Sequence, residues 1–470
     1  MLGISSLIGH WRLTIKARED VDISVIDQRH LIISSQQETA KVANVPPSLL
    51  SVLDVVKENG LLFPEEDPFA VLDDLLSENL SQAMGFLDLL AKRGVFRFQI
   101  ENNSGFRLRI DPLSFGRSLG VPSKSSRIRL RENSFLRVES GEFVLEMPDG
   151  LARLATTSPN IAALFTMTAV PLPADESTIA GLLQQAAIRC GFFRDDADQM
   201  PGIPEGSGIH RWEFHDLLFH MRSRIGYNDQ PVGPDYRFIG TEEPLPLYES
   251  DKAGVTIDLP NHDGELDSSF NLQKAFSLRT SRRKFGDTSL NLDELSKLLF
   301  LSCRIKSETR SNGKTLLYDV SSRPSPSGGG CHSLEVYPVV NRCDGLDRGL
   351  YRYQPNTHSL LRLESKLSQR HLMIQRAKYM NGGQMEPDVL LVISSRFGRV
   401  NWKYRSMSYA TVLKDAGALI QTLYLNCEQL QLAGTALGAG NIYQFAKMIS
   451  RPIPQESSVA EFIIGTRPHV

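Results

Sequence analysis

At 470 residues, 41% hydrophobic and 23% charged, the chain has the composition of a globular protein, with length for about two to four domains of roughly 150 residues each. Its net charge of −2 excludes a global field that would draw it to nucleic acid or anionic lipid. The five cysteines form no CxxC spacing, which argues against a structural zinc or a disulfide framework and fits a reducing cytoplasm.

No membrane span is predicted, because windows such as "NIAALFTMTAVPLPA" are short and proline-broken. The N-terminus has no basic region ahead of its apolar stretch and no small-residue cleavage site, so no signal peptide is read. The chain then opens with period-2 alternation in "RLTIKA" and "DISVID…HLIISS", which predicts strands. Three helical patterns follow, "PSLLSVLDVVKENG", "DPFAVLDDLLSEN" and "SQAMGFLDLLAKRG", and close on the strand-like "VFRFQI". That order predicts a small α+β module like a winged helix over residues 1–110. A second pass over 120–205 repeats it: "RIRLRENSFLRVESGEFVLEM" reads as strands with a Ser-Gly turn, and "PNIAALFTM" and "STIAGLLQQAAIRCG" as helices.

Winged helices often bind DNA, yet residues 1–100 hold nine Lys/Arg against fourteen Asp/Glu, the wrong sign for a nucleic-acid face. The basic exception is "SRIRLRE", where Arg127, Arg129 and Arg131 alternate on one strand face. A solvated face is one reading. A peptide-docking edge, where an extended acidic ligand adds a strand, is the other. His210, His215 and His220 recur every five residues, about 140° apart on a helix, so they share no metal-binding face and no metal site is predicted.

Residues 206–270 are a bridging helix and an extended linker or wrapping arm, with eight acidic residues and one lysine in 242–267. From 271 to 470 helical and strand patterns alternate. "RTSRRKF" brings Arg279, Ser281 and Arg283 together after a helical pattern. Guanidinium forks and a hydroxyl suit a phosphate; a charged helix end is the plainer reading. "LNLDELSKLLFLS" carries an Asn291/Glu294 capping box. In "RPSPSGGGCHSLEVYPVV", Pro326, Ser327, Gly328 and Gly329 lead into a strand. Such a loop lets a cofactor approach the backbone, although a flexible turn has the same composition. "GLYRYQPNTHSLLRL" predicts a hairpin, "DVLLVISS" a buried strand, and "ATVLKDAGALIQTLYLNCEQLQLAG" a long amphipathic helix.

The order RxSxRxF, capped helix, PSxGG-strand, GLYRY hairpin, KY, long helix, LGxG, strand-GxR resembles the FMN-dependent nitroreductase-like superfamily. Within it, the match is to the azoline dehydrogenases, the thiazoline/oxazoline oxidases of ribosomal peptide biosynthesis that include the cyanobactin oxidases. The resemblance covers Arg211 to Val470, with "WEFHDLLFHMRSR" as lead-in; the first 200 residues match in architecture, as peptide-clamp modules. It implies an α+β fold with a C-terminal mixed sheet flanked by helices, FMN as cofactor, and a homodimer with FMN at the interface. It also implies a heterocyclised precursor peptide as substrate and dioxygen as final acceptor. Arg279, Ser281, Arg283 and Arg467 correspond to the family's contacts to the phosphate and ribityl chain, and Pro326 to Gly329 to the loop along the isoalloxazine. Gly438 corresponds to the LGxG loop, and Lys403 with Tyr404 to the family's catalytic Lys-Tyr pair. Ala418 and Gln444 depart from a histidine and a glycine common in relatives, which bears on substrate detail.

Two alternatives compete with this reading. One is an NAD(P)H-dependent nitro- or quinone reductase, which has no use for a peptide clamp. The other is a peptide-binding scaffold with a vestigial flavin fold, which would not retain the arginine, PSGG and GTR elements. If both Lys403 and Tyr404 serve one site, residues 400–409 must be a turn or helix start, because neighbours on a strand point oppositely.

Overall fold

The computed structural model describes residues 211–468 apart from 229, 231–232, 250–253, 263–269 and 384. Of the first 210 it describes mainly 12–18, 21–27, 30–35, 39–43, 61–63, 95–101, 107–113, 128–131 and 133–159. The chain divides into two compact units, Met1–Val232 and Gly233–Val470.

In the first unit the described residues are mostly strands. A seven-stranded antiparallel sheet runs in the order Leu61–Phe63, Arg12–Ala17, Phe96–Glu101, Arg107–Pro112, Ala152–Thr156, Glu142–Glu146, Phe135–Glu139. It therefore runs through the border expected between the two N-terminal modules, with Ile110 opposite Leu154. The expected Ser-Gly turn joins its last two strands, and Ser140 and Gly141 both take positive φ (50° and 83°), the combination a tight hairpin requires. Most of the helical residues on which a winged-helix reading depends lie outside the described residues. Ile128–Leu130 pairs antiparallel with Phe193–Asp195, and Arg131 is held by Asp149 at 2.8 Å. Arg127 and the side chain of Arg129 lie outside the described residues.

In the second unit the sheet is built from β1 (Thr256–Asp258), β2 (Leu334–Val340), β3 (Gly349–Gln354), β4 (Ser359–Leu363), β5 (Val389–Arg396), β6 (Leu432–Leu437) and β7 (Glu456–Thr466), in the order β1-β4-β3-β2-β5-β7-β6. The helices are α1 (Leu272–Leu278), α2 (Leu292–Cys303), α3 (Leu367–Met380), α4 (Phe397–Asn401), α5 (Ser408–Gln429) and α6 (Ile442–Ile449). The mixed sheet expected from the sequence is not found: every pairing in this sheet is antiparallel. The strand–helix–strand unit β5-α5-β6 reads like a parallel crossover. Those two strands are indeed parallel, but β7 lies between them and is antiparallel to both.

All eight residues of β5 are buried, so both faces of the sheet are covered. Val389, Leu391 and Ile393 pack with α2 and α5 through Leu295, Leu299, Leu419 and Leu423. The alternate residues Leu390 and Val392 pack with α3 and α6 through Met373, Ile374, Phe445 and Met448. The period of two thus assigns each face its own helix layer. The predicted capping box is formed: Asn291 Oδ1 accepts from the Glu294 amide at 2.9 Å, and Glu294 accepts from the Asn291 amide at 3.0 Å.

The acidic segment expected to be a linker or arm belongs to this unit as an arm. Its carbonyls at Pro246 and Leu247 accept from Arg396 at 2.8 and 2.7 Å, and Glu242 O accepts from the Trp402 indole at 2.8 Å. That buried guanidinium and the indole find their acceptors on the arm's backbone, which is why an extended chain adheres there.

Candidate active site

The site forms where the glycine loop after Pro326 meets the turn between α4 and α5. Residues 402–407 are a turn, not a strand, so Lys403 and Tyr404 project to the same side. The turn is held from outside: Asp235 N–H donates to Lys403 O at 2.8 Å, and Pro234 bridges Tyr404. Gly329 sits opposite with φ 64°. A Cβ built there would meet the Tyr404 hydroxyl and lie 2.5 Å from Lys403 Nζ. The two predicted catalytic side chains therefore converge on one glycine of the predicted loop.

Their electrostatics differ. Burial pushes the Lys403 ammonium below its ordinary range, with Cys331 pulling the other way. Burial, then Cys331, Tyr236 and Asp415, push the Tyr404 phenol up to about 12. The neutral amine is thus made more accessible and the phenolate less so. The amine becomes the better base and the phenol a donor.

The loop itself is clamped by a residue the sequence reading did not single out. Asp415 on α5 accepts from Ser327 Oγ at 2.6 Å and from the Gly328 amide at 3.0 Å, and Ser327 Oγ also accepts from the His332 amide at 2.9 Å. Ser327 is therefore a loop anchor, while Pro326 and Ser327 help line a cleft with Arg323, His332 and Asp415. Arg399 was missed as well. Its buried guanidinium donates to Cys331 O at 2.6 Å, Leu245 O at 2.5 Å and Asp319 O at 2.8 Å, tying the loop, the arm and the residue after Tyr318 together. Burial and the neighbouring Arg396 depress it to about 10. Arg399 stands four residues before Lys403, but its burial, which would mark it out, is not written in the letters.

The basic cluster lies at the other end of α5. Arg279 stacks 5.4 Å from the Tyr424 ring, and Ser281 Oγ meets the Tyr424 hydroxyl at 3.1 Å. Burial alone would raise the Tyr424 phenol, but hydrogen bonding with Ser281, Thr435 and the Ala436 amide, with the charge of Arg279, brings it down. Arg467 donates to Glu428 at 2.7 Å, Gln431 at 2.9 Å and Leu432 O at 3.1 Å. Arg282 bonds the same carboxylate at 3.2 and 3.3 Å. One buried carboxylate serves two guanidiniums, so Arg279 and the exposed Arg283 leave a surplus of positive charge.

Gly438 is exposed, with nothing within 4 Å of a Cβ built on it. Beneath its loop lies Glu461 on β7, against which Gly440 packs directly. The residue is 4% exposed, and its Oε1 has no hydrogen-bond partner among the described residues. Burial pushes it up to about 7 from an ordinary 4.5, against the Asn441 amide and Arg376. The raised value makes the folded state hold a proton that the unfolded chain releases. Stability present at acid pH is lost as pH climbs from about 4.5 through 7, by on the order of 3 kcal/mol. Glu461→Gln is expected to flatten that loss, so thermal denaturation at pH 5 and pH 8 should show a gain in Tm over the parent only at the higher pH. An equal change at both would refute the assignment.

Among known proteins, the nitroreductase family matches residues 277–466, and the cyanobactin oxidase ThcOx family matches residues 128–229. A protein of Methanocaldococcus jannaschii named as a nitroreductase is 27% identical over 168 residues, 36% of this chain and 78% of its own. A solved Ralstonia eutropha structure titled as a nitroreductase is 23% identical with a TM-score of 0.36, covering 51% of this chain and 100% of its own. A chain of the E. coli microcin synthetase McbBCD complex, solved with truncated pro-MccB17 bound, is 17% identical with a TM-score of 0.33, covering 51% and 84%. The chain thus carries a nitroreductase-family domain over residues 277–466 and, over residues 128–229, a segment that matches the cyanobactin oxidase ThcOx family.

Proposed function

We propose that this protein is an FMN-dependent oxidase that converts peptide thiazolines or oxazolines to thiazoles or oxazoles, with dioxygen as terminal acceptor. The observation that carries the reading is the convergence of the Lys403 amine and the Tyr404 hydroxyl on Gly329, in a chain that also has a cyanobactin-oxidase segment. Aromatising an azoline removes two carbon-bound hydrogens, one leaving as a proton and the other, with the electron pair, as a hydride. That chemistry needs a base near the reacting carbon and a donor near the ring heteroatoms.

The residues fit a flavin mononucleotide. The positive surplus of Arg279 and Arg283, beside the Ser281 hydroxyl, suits its phosphate. Arg467 backs that end through Glu428. The backbone of Gly328 and Gly329, clamped by Asp415, offers an edge against which a flat ring can lie closely. Gly438 gives a second side-chain-free approach. Bound FMN supplies the two-electron acceptor.

Lys403, with its ammonium destabilised by burial, takes the carbon-bound proton. Tyr404 stays protonated to about pH 12 and orients the ring by donating a hydrogen bond. Because the active form of Lys403 is the neutral amine, kcat/KM is expected to rise with pH through a midpoint below the ordinary lysine value. A pH–rate profile that falls across that range would contradict the assignment. The reading includes the homodimer that the resemblance implies, and the exposed Leu272 and Phe276 of α1 (64% and 56%) support it.

The test is mass spectrometry of an azoline-containing peptide incubated with the protein and FMN. A loss of two mass units per ring is expected. An unchanged peptide mass, together with flavin bleaching on addition of NADH, would instead support a reductase.

A further inference from the structure

Tyr318 lies just ahead of the short strand Val320–Ser322 and is 3% exposed. Its hydroxyl donates to the carbonyl of Gly329 and lies 2.6 Å from Lys403 Nζ. We propose that Tyr318 is the positioning residue of this site, fixing where the Lys403 amine stands and which of its directions stays open. The inference rests on the reading of Lys403 as the base.

A phenol has one proton and two acceptor lone pairs. The Tyr318 proton is committed to Gly329 O, so toward Lys403 the oxygen can only accept. Gly329 O, 3.4 Å from Nζ, also can only accept. A neutral amine has two N–H bonds and one lone pair. Its two protons are drawn to these two oxygens, and the lone pair is claimed by neither. A tyrosine free to donate would cap that lone pair and silence the base. The lysine stem is flexible and loses its way without such a fixed partner.

The groups facing Nζ are few. The Tyr318 ring lies 4.9 Å away and the Tyr404 ring 5.2 Å. The Cys331 sulfur is 3.8 Å from the Tyr318 hydroxyl, and its thiol is held up by burial. Asp415 and Tyr236 act on Tyr404, and Arg399 on Cys331. Among the described residues, Tyr318 makes the shortest hydrogen bond to the amine.

Tyr318→Phe keeps the ring and its packing near Trp402 (centroids 6.0 Å apart) and removes the hydroxyl, which is both the acceptor toward Lys403 and the donor to Gly329 O. The ammonium then loses a stabilising oxygen, so the acid limb of the kcat/KM profile should move down by about one pH unit. The plateau should fall about tenfold or more as the amine wanders. Competitive acetylation of Lys403 followed by mass spectrometry reads the same midpoint without turnover or cofactor, and it should move down equally. An unchanged labelling midpoint with activity scaled down uniformly at every pH would overturn the positioning role. If the midpoint moves but Lys403→Ala retains turnover, the base reading fails and the positioning by Tyr318 stands.

Discussion

Lys403→Ala is expected to lower kcat by about 10²–10⁴-fold on an azoline peptide while the purified protein stays yellow with FMN. The amine is a part-buried group whose charge is destabilised by burial, and its loss leaves the carbon-bound proton without an acceptor. Among the described residues its contacts are two hydrogen bonds and two ring faces, none of which holds the sheet together, so Tm should change little. Tyr404→Phe should cost less, because it removes a donor and leaves the base. The order of the two effects is itself diagnostic: the phenol is pushed up to about 12, so a larger loss from Tyr404→Phe would mean that the phenol, not the amine, moves the proton. Single-turnover kinetics at fixed flavin content separate these outcomes from a loss of cofactor.

Gly329→Ala has the second largest expected effect. The residue sits at φ 64°, a conformation that costs an L side chain roughly 1–2 kcal/mol. The added methyl would also strike the Tyr404 hydroxyl and Lys403 Nζ, the latter at 2.5 Å. Both are ends of side chains, so they move aside and the fold survives. A displacement near 1 Å in the reacting groups is expected to cost about 10²-fold in kcat. Flavin content should remain near the parent's, and the thermal transition should fall by only a few degrees, the cost of the strained φ. A variant with parental kcat would show that the two side chains do not work from their positions against this loop.

Several parts of the architecture were legible because they are local. The Asn291/Glu294 box, the GLYRY hairpin and the apolar run Val389–Ile393 of β5 each depend on residues a few positions apart, where spacing alone sets geometry. The antiparallel sheet was not legible. Its order depends on β7, far along the chain, inserting between β5 and β6; a strand–helix–strand pattern reads the same with or without the insertion. The acidic segment after residue 241 had the composition of a linker, yet it is held because its backbone carbonyls satisfy Arg396, Arg399 and Trp402. Nothing in a local window records that demand.

The sequence by itself determined the residue types of the site and their order: the arginine and serine cluster, the glycine loop, the Lys-Tyr pair and the strand ending in Arg467. Through the resemblance they carry, it also pointed to the nitroreductase-family domain matched over residues 277–466. Only the tertiary structure decided what each group is free to do. Ser327 and Arg467 are committed to Asp415 and Glu428, while Lys403 and Tyr404 share one direction because residues 402–407, inside "VNWKYRSMSY", form a turn. Tyr318, 85 residues before Lys403, meets it through the fold alone. The reason is physical. A side chain's reactivity is set by desolvation and by the hydrogen bonds it makes, and both come from partners brought near by folding rather than by position in the chain.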